Sequence, residues 1–369
     1  MDQLAGYYLQ KVRETGDPSY YPKVQALVDR VLTLSPTDIN GLVLDGVVTL
    51  GRHQFSEGLV RGQRALAVGP RNTSALGIVV DAEVELGQYE EAITSVQQMI
   101  GIRPDLSSYS RVSYLRELRG DIPGAIEVMK MAVTSGGPYT ENVSYVQVLL
   151  GTLYFNEGML SEADATYSQA LGGNPGYPMA LAARGQLRAA QHRWPEAIAD
   201  LTAAVQVYPL PQFVVALGET YEASGDIRSA GQQYDLASAE QALYVTNGVN
   251  QDQELALFDA DHRRELPAAL VAAQRAAHDR PSVKSFDVLA WTLYQVGGRD
   301  AEALAAATRA HALGTRDASF FYHSGMIEAR MGRVADARRD LQQALDINPS
   351  FSELRAPIAR TTLAGLAAS

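Results

Sequence analysis

The densest group of side chains able to do chemistry is Asp252, Glu254, Asp259 and Asp261, followed directly by His262. Carboxylates and an imidazole can ligate a metal if a loop brings them together, and Asp259, Asp261 and His262 are close enough in sequence to converge. The same run also suits a solvated helix face with helix-start carboxylates, and the EF-hand spacing with its glycine is absent. The other histidines, His53, His192, His278, His311 and His323, show neither HExxH nor another usual ligand spacing. There is no cysteine, which removes disulfides, zinc thiolate sites, iron–sulfur clusters and cysteine nucleophiles together. GxSxG, a Walker glycine loop and GxGxxG after a strand are all missing. No catalytic residue and no cofactor is expected.

Bulk composition narrows the partners. The 369 residues carry a net charge of -11, with 46% hydrophobic and 20% charged residues. That is a globular balance, and too long for one compact core to keep growing. Nucleic-acid binding needs a basic footprint, and this chain has the opposite. Lys11, Lys23, Lys130 and Lys284 are its only lysines, so it has no polybasic membrane patch and no membrane insertion is expected. Met1-Asp2-Gln3-Leu4 lacks the basic and apolar regions of a signal peptide, which points to the cytoplasm; a trimmed signal leaves export open.

The elements that must position any site show themselves in the prolines. Pro36, Pro70, Pro104 and Pro138 are each 34 residues apart, as are Pro175 and Pro209, and Pro281 and Pro349 are 68 apart. Small residues recur in step: Ala92, Ala163, Ala197, Ala269 and Ala337 twelve before a proline, and Ala65, Ala170, Ala204, Ala276 and Ala344 five before. Gly46, Gly151, Gly185 and Gly325 lie twenty-four before, and Gly87, Gly158 and Gly332 seventeen before. Small side chains let two helices of a hairpin approach, a glycine turns the chain between them, and a proline ends the second helix.

In these positions the sequence resembles the tetratricopeptide repeat family, most clearly over 144–177, 178–211 and 318–351. The resemblance implies an all-α, right-handed α-solenoid of about ten helix-turn-helix repeats along the whole chain, closed by a C-terminal capping helix. Residues 1–369 then form one continuous solenoid: seven repeats over 1–237, an irregular junction over 238–265, further repeats over 266–351, and the cap over 352–369. Leu354, Ile358 and Leu363 are expected to cover the last repeat. The irregular junction and Gly297-Gly298 are the expected first sites of proteolysis. Three blocks, Tyr8-Leu9-Gln10-Lys11 with Glu14–Pro18, Gly248–His262, and Gly314–Ala318 with Tyr322-His323, resemble a set of bacterial tetratricopeptide proteins, which implies a soluble bacterial protein and supplies no activity.

In that family the first helix of each hairpin lines the concave face. The register places Arg111, Tyr114, Tyr145, Thr152, Phe155, Asn156, Gln186, Trp291 and Tyr294 there, an aromatic-and-amide groove for a peptide or protein segment. A slipped register instead makes Tyr145, Phe155 and Trp291 core between repeats. Capture of a C-terminal carboxylate is disfavoured, because no lysine lies on a central first helix. The expected function is a non-catalytic interaction scaffold. The alternatives are self-association through an end or the convex face, and a metal or hydrolytic site in 239–266.

Overall fold

The computed structural model describes residues 1–137 and 140–368. Pro138, one of the period markers, lies outside the described residues, as do Tyr139 and Ser369. Among the described residues there are 21 helices and no strand. Ten hairpins follow one another: α1 (Asp2–Thr15) with α2 (Tyr20–Leu34), α3 (Ile39–Gly51) with α4 (Phe55–Val68), α5 (Thr73–Glu85) with α6 (Tyr89–Ile102), α7 (Leu106–Leu118) with α8 (Ile122–Ser135), and α9 (Thr140–Asn156) with α10 (Leu160–Gly173). They continue with α11 (Pro178–Ala190) and α12 (Trp194–Val207), α13 (Pro211–Ser224) and α14 (Ile227–Thr246), α15 (Asp252–Asp261) and α16 (Leu266–Asp279), α17 (Val283–Val296) and α18 (Asp300–Ala310), and α19 (Ala318–Arg330) and α20 (Val334–Ile347). A final helix, α21 (Arg355–Ala368), has no hairpin partner.

The periodic prolines act one step later than the helix end. α2, α12 and α20 stop at Leu34, Val207 and Ile347; Ser35, Tyr208 and Asn348 follow in extended conformation, and only then comes the proline. Clash with the proline ring drives the preceding residue out of the helical region, so each proline terminates its helix through its neighbour. The next first helix often starts on a side-chain cap. Asp38 accepts from Gly41 N–H, Asn72 from Ala75 N–H, and Asp105 forms a capping box with Ser108.

The recurrent alanines are the contact surface between helices. Ala92, Ala163, Ala197, Ala337, Ala65, Ala170, Ala204 and Ala344 are all fully buried. Gly325 marks a close approach within its hairpin: a β-carbon there would stand 2.7 Å from Leu341 Cγ. In the first hairpin, where valines replace small residues, Val12, Val24 and Val31 are simply core. In the irregular stretch α14 runs straight on to Thr246, and buried Ala237, Ala256 and Ala260 supply the small contacts. Arg263, rather than a glycine, adopts the left-handed conformation of the turn there, at φ 52°.

The cap corrects one expectation. Ala356 and Ala359 are buried, with Leu363 and Leu366 packed on the core of the last hairpins. Ile358 is 46% exposed and lines an open groove instead. Leu363 packs as read in the sequence, whereas Leu354 lines the same groove as Ile358 and the small Ala356 and Ala359 take the buried positions.

The coil closes on itself. The turn inside the first hairpin sits beneath the linker between the sixth and seventh, so about five and a half hairpins complete one circuit. From there each hairpin turn of the first circuit meets a linker of the second. Tyr244 Oη donates to the Gly16 carbonyl at 2.7 Å, Asn250 N–H to Arg52 at 3.0 Å, Thr315 Oγ1 to Leu118 at 2.5 Å and Asn348 Nδ2 to Phe155 at 2.7 Å. These acceptors are carbonyls at the ends of first helices, which have no partner inside the helix. Gly87 and Gly120 sit in this seam with φ +70° and +73°. A β-carbon at either would lie 2.6 Å from the Pro281 or Gly314 carbonyl oxygen. Glycine is needed there twice over, for conformation and for room.

Candidate functional site

Closure turns the concave face into an inner channel, and first helices of both circuits wall it. Tyr145, on α9, shows the consequence. It exposes 41% of its surface; burial, then Asp81, push its hydroxyl pKa up, while the Arg111 guanidinium draws it down.

Two stations can be distinguished in the first circuit. At one, Arg111 clamps Asp81 of α5 with two bonds, 2.8 and 2.6 Å, and donates to Ser107 from its remaining nitrogen. This bidentate pair lines a groove of about 380 Å³ with Glu85, Tyr114, His53 and Phe55. At the other, Lys284 of the second circuit reaches over the Tyr114 ring, 5.0 Å from its centroid. Tyr114, then Glu85 and Glu117, hold the Lys284 ammonium charged. Burial pushes the Glu117 carboxyl up, and Asn156 Nδ2 donates to it at 3.4 Å.

A larger cavity, about 580 Å³, opens between the circuits and takes in Phe155, Gln186, Glu219, Gln241, Glu254 and Asp261. Arg355 of α21 stands at its edge, bonded to Glu219 at 2.9 Å and Asp261 at 3.0 Å. Burial alone would raise Glu219, but Arg355 and His262 outweigh it and hold the carboxylate well below its usual range. Glu353 lacks such a partner; burial, then Glu219, push it up to about 7.

Of the nine residues read from the sequence, Arg111 and Tyr114 line the smaller groove and Phe155 and Gln186 the larger cavity, while Asn156 donates to Glu117 and Tyr145 lies beside Asp81 and Arg111. Thr152 is turned toward its own hairpin, with Oγ1 3.4 Å from Tyr167 Oη. Trp291 is core, only 3% exposed, stacked on Tyr294 and His323, with its N–H donated to Asp261 at 2.8 Å. Tyr294 lies at a third groove beneath the Arg330 guanidinium. The proposed metal trio does not assemble, since Asp261 is engaged by Trp291 and Arg355 and His262 faces Glu219 at 3.5 Å. Among the described residues no three His, Asp or Glu side chains are grouped to hold a metal. Lys284, Glu353 and Arg355 were missed. No local signal marks them, because they enter the channel only through circuit closure.

Known proteins resemble the chain in its repeats. Tetratricopeptide repeat models match residues 148–209, 182–242 and 318–351. No curated protein matches the chain. Among solved structures, a chain of the APC/C hetero-tetramer Cut9-Hcn1 aligns with TM-score 0.51 at 14% identity, over 93% of this chain and 59% of that one. Human IFIT1, solved as a dimer with PPP-AAAA, gives 0.49 at 14% identity, over 89% of this chain and 81% of that one. A tetratricopeptide repeat protein from Parabacteroides merdae gives 0.40 at 17% identity, over 72% of this chain and 99% of that one. At 14% identity the likeness to the Cut9-Hcn1 chain speaks for the fold alone. Among the described residues no helix is long and apolar enough to cross a membrane.

Proposed function

We propose that this chain, which matches tetratricopeptide repeat models over residues 148–242 and 318–351, is a non-catalytic scaffold that holds a peptide or protein segment in its inner channel. The observation that carries this reading is Tyr145. A large aromatic side chain 41% exposed beside the Arg111–Asp81 pair is suited to serve as an anchor of the kind that dominates peptide recognition. Phe155, on the same helix, extends the aromatic surface toward the larger cavity. Tetratricopeptide arrays use such inner faces for extended segments, whose affinity comes from a few buried side chains rather than from total area.

The test is capture of partners from the source cell by the full chain and by Tyr145→Ala/Phe155→Ala. Recovery of the same partners by the double variant overturns the channel as the binding surface. Light scattering on the purified chain is the companion measurement, because a discrete oligomer held through its convex face moves the proposal to self-assembly.

A further inference from the structure

The cavity between the circuits has a chemistry that its own residues leave unbalanced. Glu219, Glu254, Asp261 and Glu353 line it, and neither lysine nor arginine is among its described lining residues. Arg355 satisfies Glu219 and Asp261 from the edge, and Arg280 reaches one oxygen of Glu254 at 3.4 Å. The other oxygen of Glu254 is enclosed and has no hydrogen-bond partner. No basic side chain among the described residues pairs with Glu353. Gln241, only 2% exposed, also lines the cavity, and its Oε1 is enclosed without a donor.

The two unmet atoms, Glu254 Oε2 and Gln241 Oε1, are both acceptors. A buried acceptor without a donor is costly, and an occupant bringing N–H groups would relieve that cost. The excess of carboxylate specifies that it also brings positive charge. Tyr208, Tyr244 and Phe258 supply ring faces for a cation and for the apolar stem behind it. We propose that this cavity receives a lysine or arginine side chain carried on a basic peptide segment of a partner. The volume is larger than one amine fills, and Phe155 and Gln186 join it to the rest of the channel. The proposal rests on the channel reading above and gives the partner its charge.

The probe is fluorescein-labelled hexalysine amide, titrated into the full chain and followed by anisotropy, with hexaglutamate and free spermine in parallel. Glu254→Gln/Glu353→Gln removes two carboxyl groups from the cavity while keeping shape. Glu57→Gln/Glu127→Gln removes two from exposed positions and controls for the general negative field. Hexalysine should bind and hexaglutamate should not. The cavity variant should weaken hexalysine about tenfold or more, the surface variant less than about twofold, with thermal melting of the cavity variant no lower than wild type. Equal affinity in the two variants, or no hexalysine binding at all, overturns the proposal. Tight spermine binding without hexalysine binding replaces the peptide with a free polyamine. If partner capture is lost in Tyr145→Ala/Phe155→Ala while hexalysine ignores the cavity carboxylates, the channel reading stands and this one falls. If capture survives that double variant while the cavity variant weakens hexalysine, the cavity stands as a basic-segment site and the aromatic channel surface falls.

Discussion

Asn348 Nδ2 donates to the carbonyl of Phe155 at 2.7 Å, across 193 residues of chain. The contact repeats in kind at Thr315 with Leu118 and at Tyr244 with Gly16, so a seam, rather than a single strap, joins the two circuits. Each such bond satisfies a helix-end carbonyl and contributes roughly 0.5–1.5 kcal/mol.

The seam separates two glycines that look alike in sequence. Gly120→Ala and Gly332→Ala impose the same left-handed strain, φ +73° in both, which costs about 1–2 kcal/mol. Only at Gly120 does the new β-carbon strike another circuit, 2.6 Å from the Gly314 oxygen; Gly332 has nothing within 4 Å. Denaturant unfolding should show Gly120→Ala losing clearly more stability, and X-ray scattering should show a larger radius for that variant alone. Equal losses and unchanged radii would place the seam elsewhere.

Arg355 pairs with two carboxylates while only 12% of its side chain is exposed. Arg355→Met leaves Glu219 and Asp261 without their cation, and breaking a buried pair on one side costs ~3–5 kcal/mol. Thermal melting should fall accordingly, and adding Glu219→Gln and Asp261→Asn should restore much of it. Failure of that rescue would mean the loss came from packing of α21 alone.

Glu328, on α19, gives a pH signature. Burial, then Asp340 and Asp336, push its carboxyl up to about 7, from an ordinary value of 4.5. Folding therefore favours the protonated form. Its contribution is full below about pH 4.5 and is lost as pH rises toward 7, a cost of up to about 3 kcal/mol. Glu219, held low, works in the opposite sense: its stabilisation is present above about pH 4.5 and lost as pH falls below that. Glu328→Gln should gain melting temperature at pH 8 and little at pH 4.5. A gain independent of pH would argue against the raised carboxyl.

Limited proteolysis should begin at Gly297-Gly298, where both residues have positive φ and a β-carbon would meet nothing within 4 Å. The linker at 247–251, equally irregular in sequence, is pinned by Asn250 N–H to Arg52 O and by the contact of Asn250 O with His53 Nδ1, at 3.0 and 2.8 Å. First cleavage inside that linker would show that the seam opens there before the ninth hairpin frays.

The helix hairpins were legible because their signals are local. Ala197 is fully buried and Gly325 meets Leu341, as the 34-residue period requires. The channel was partly legible for the same reason: Tyr145 and Arg111 fall on the inward row of their own helices. Trp291 falls on that row too, but its size and its N–H suit a core slot against Asp261, which spacing does not distinguish. Circuit closure was not legible. It depends on small rotations accumulated over more than five hairpins, and nothing in the sequence around Gly87 announces that Pro281 will rest on it.

An open array of hairpins can fray from either end, because each unit touches only its neighbours. Here the seam bonds join partners 193 to 228 residues apart, contacts that a simple solenoid lacks. Loss of the last hairpins would strip the hydrogen-bond partners from the early ones, and the two halves should melt together rather than unravel one repeat at a time.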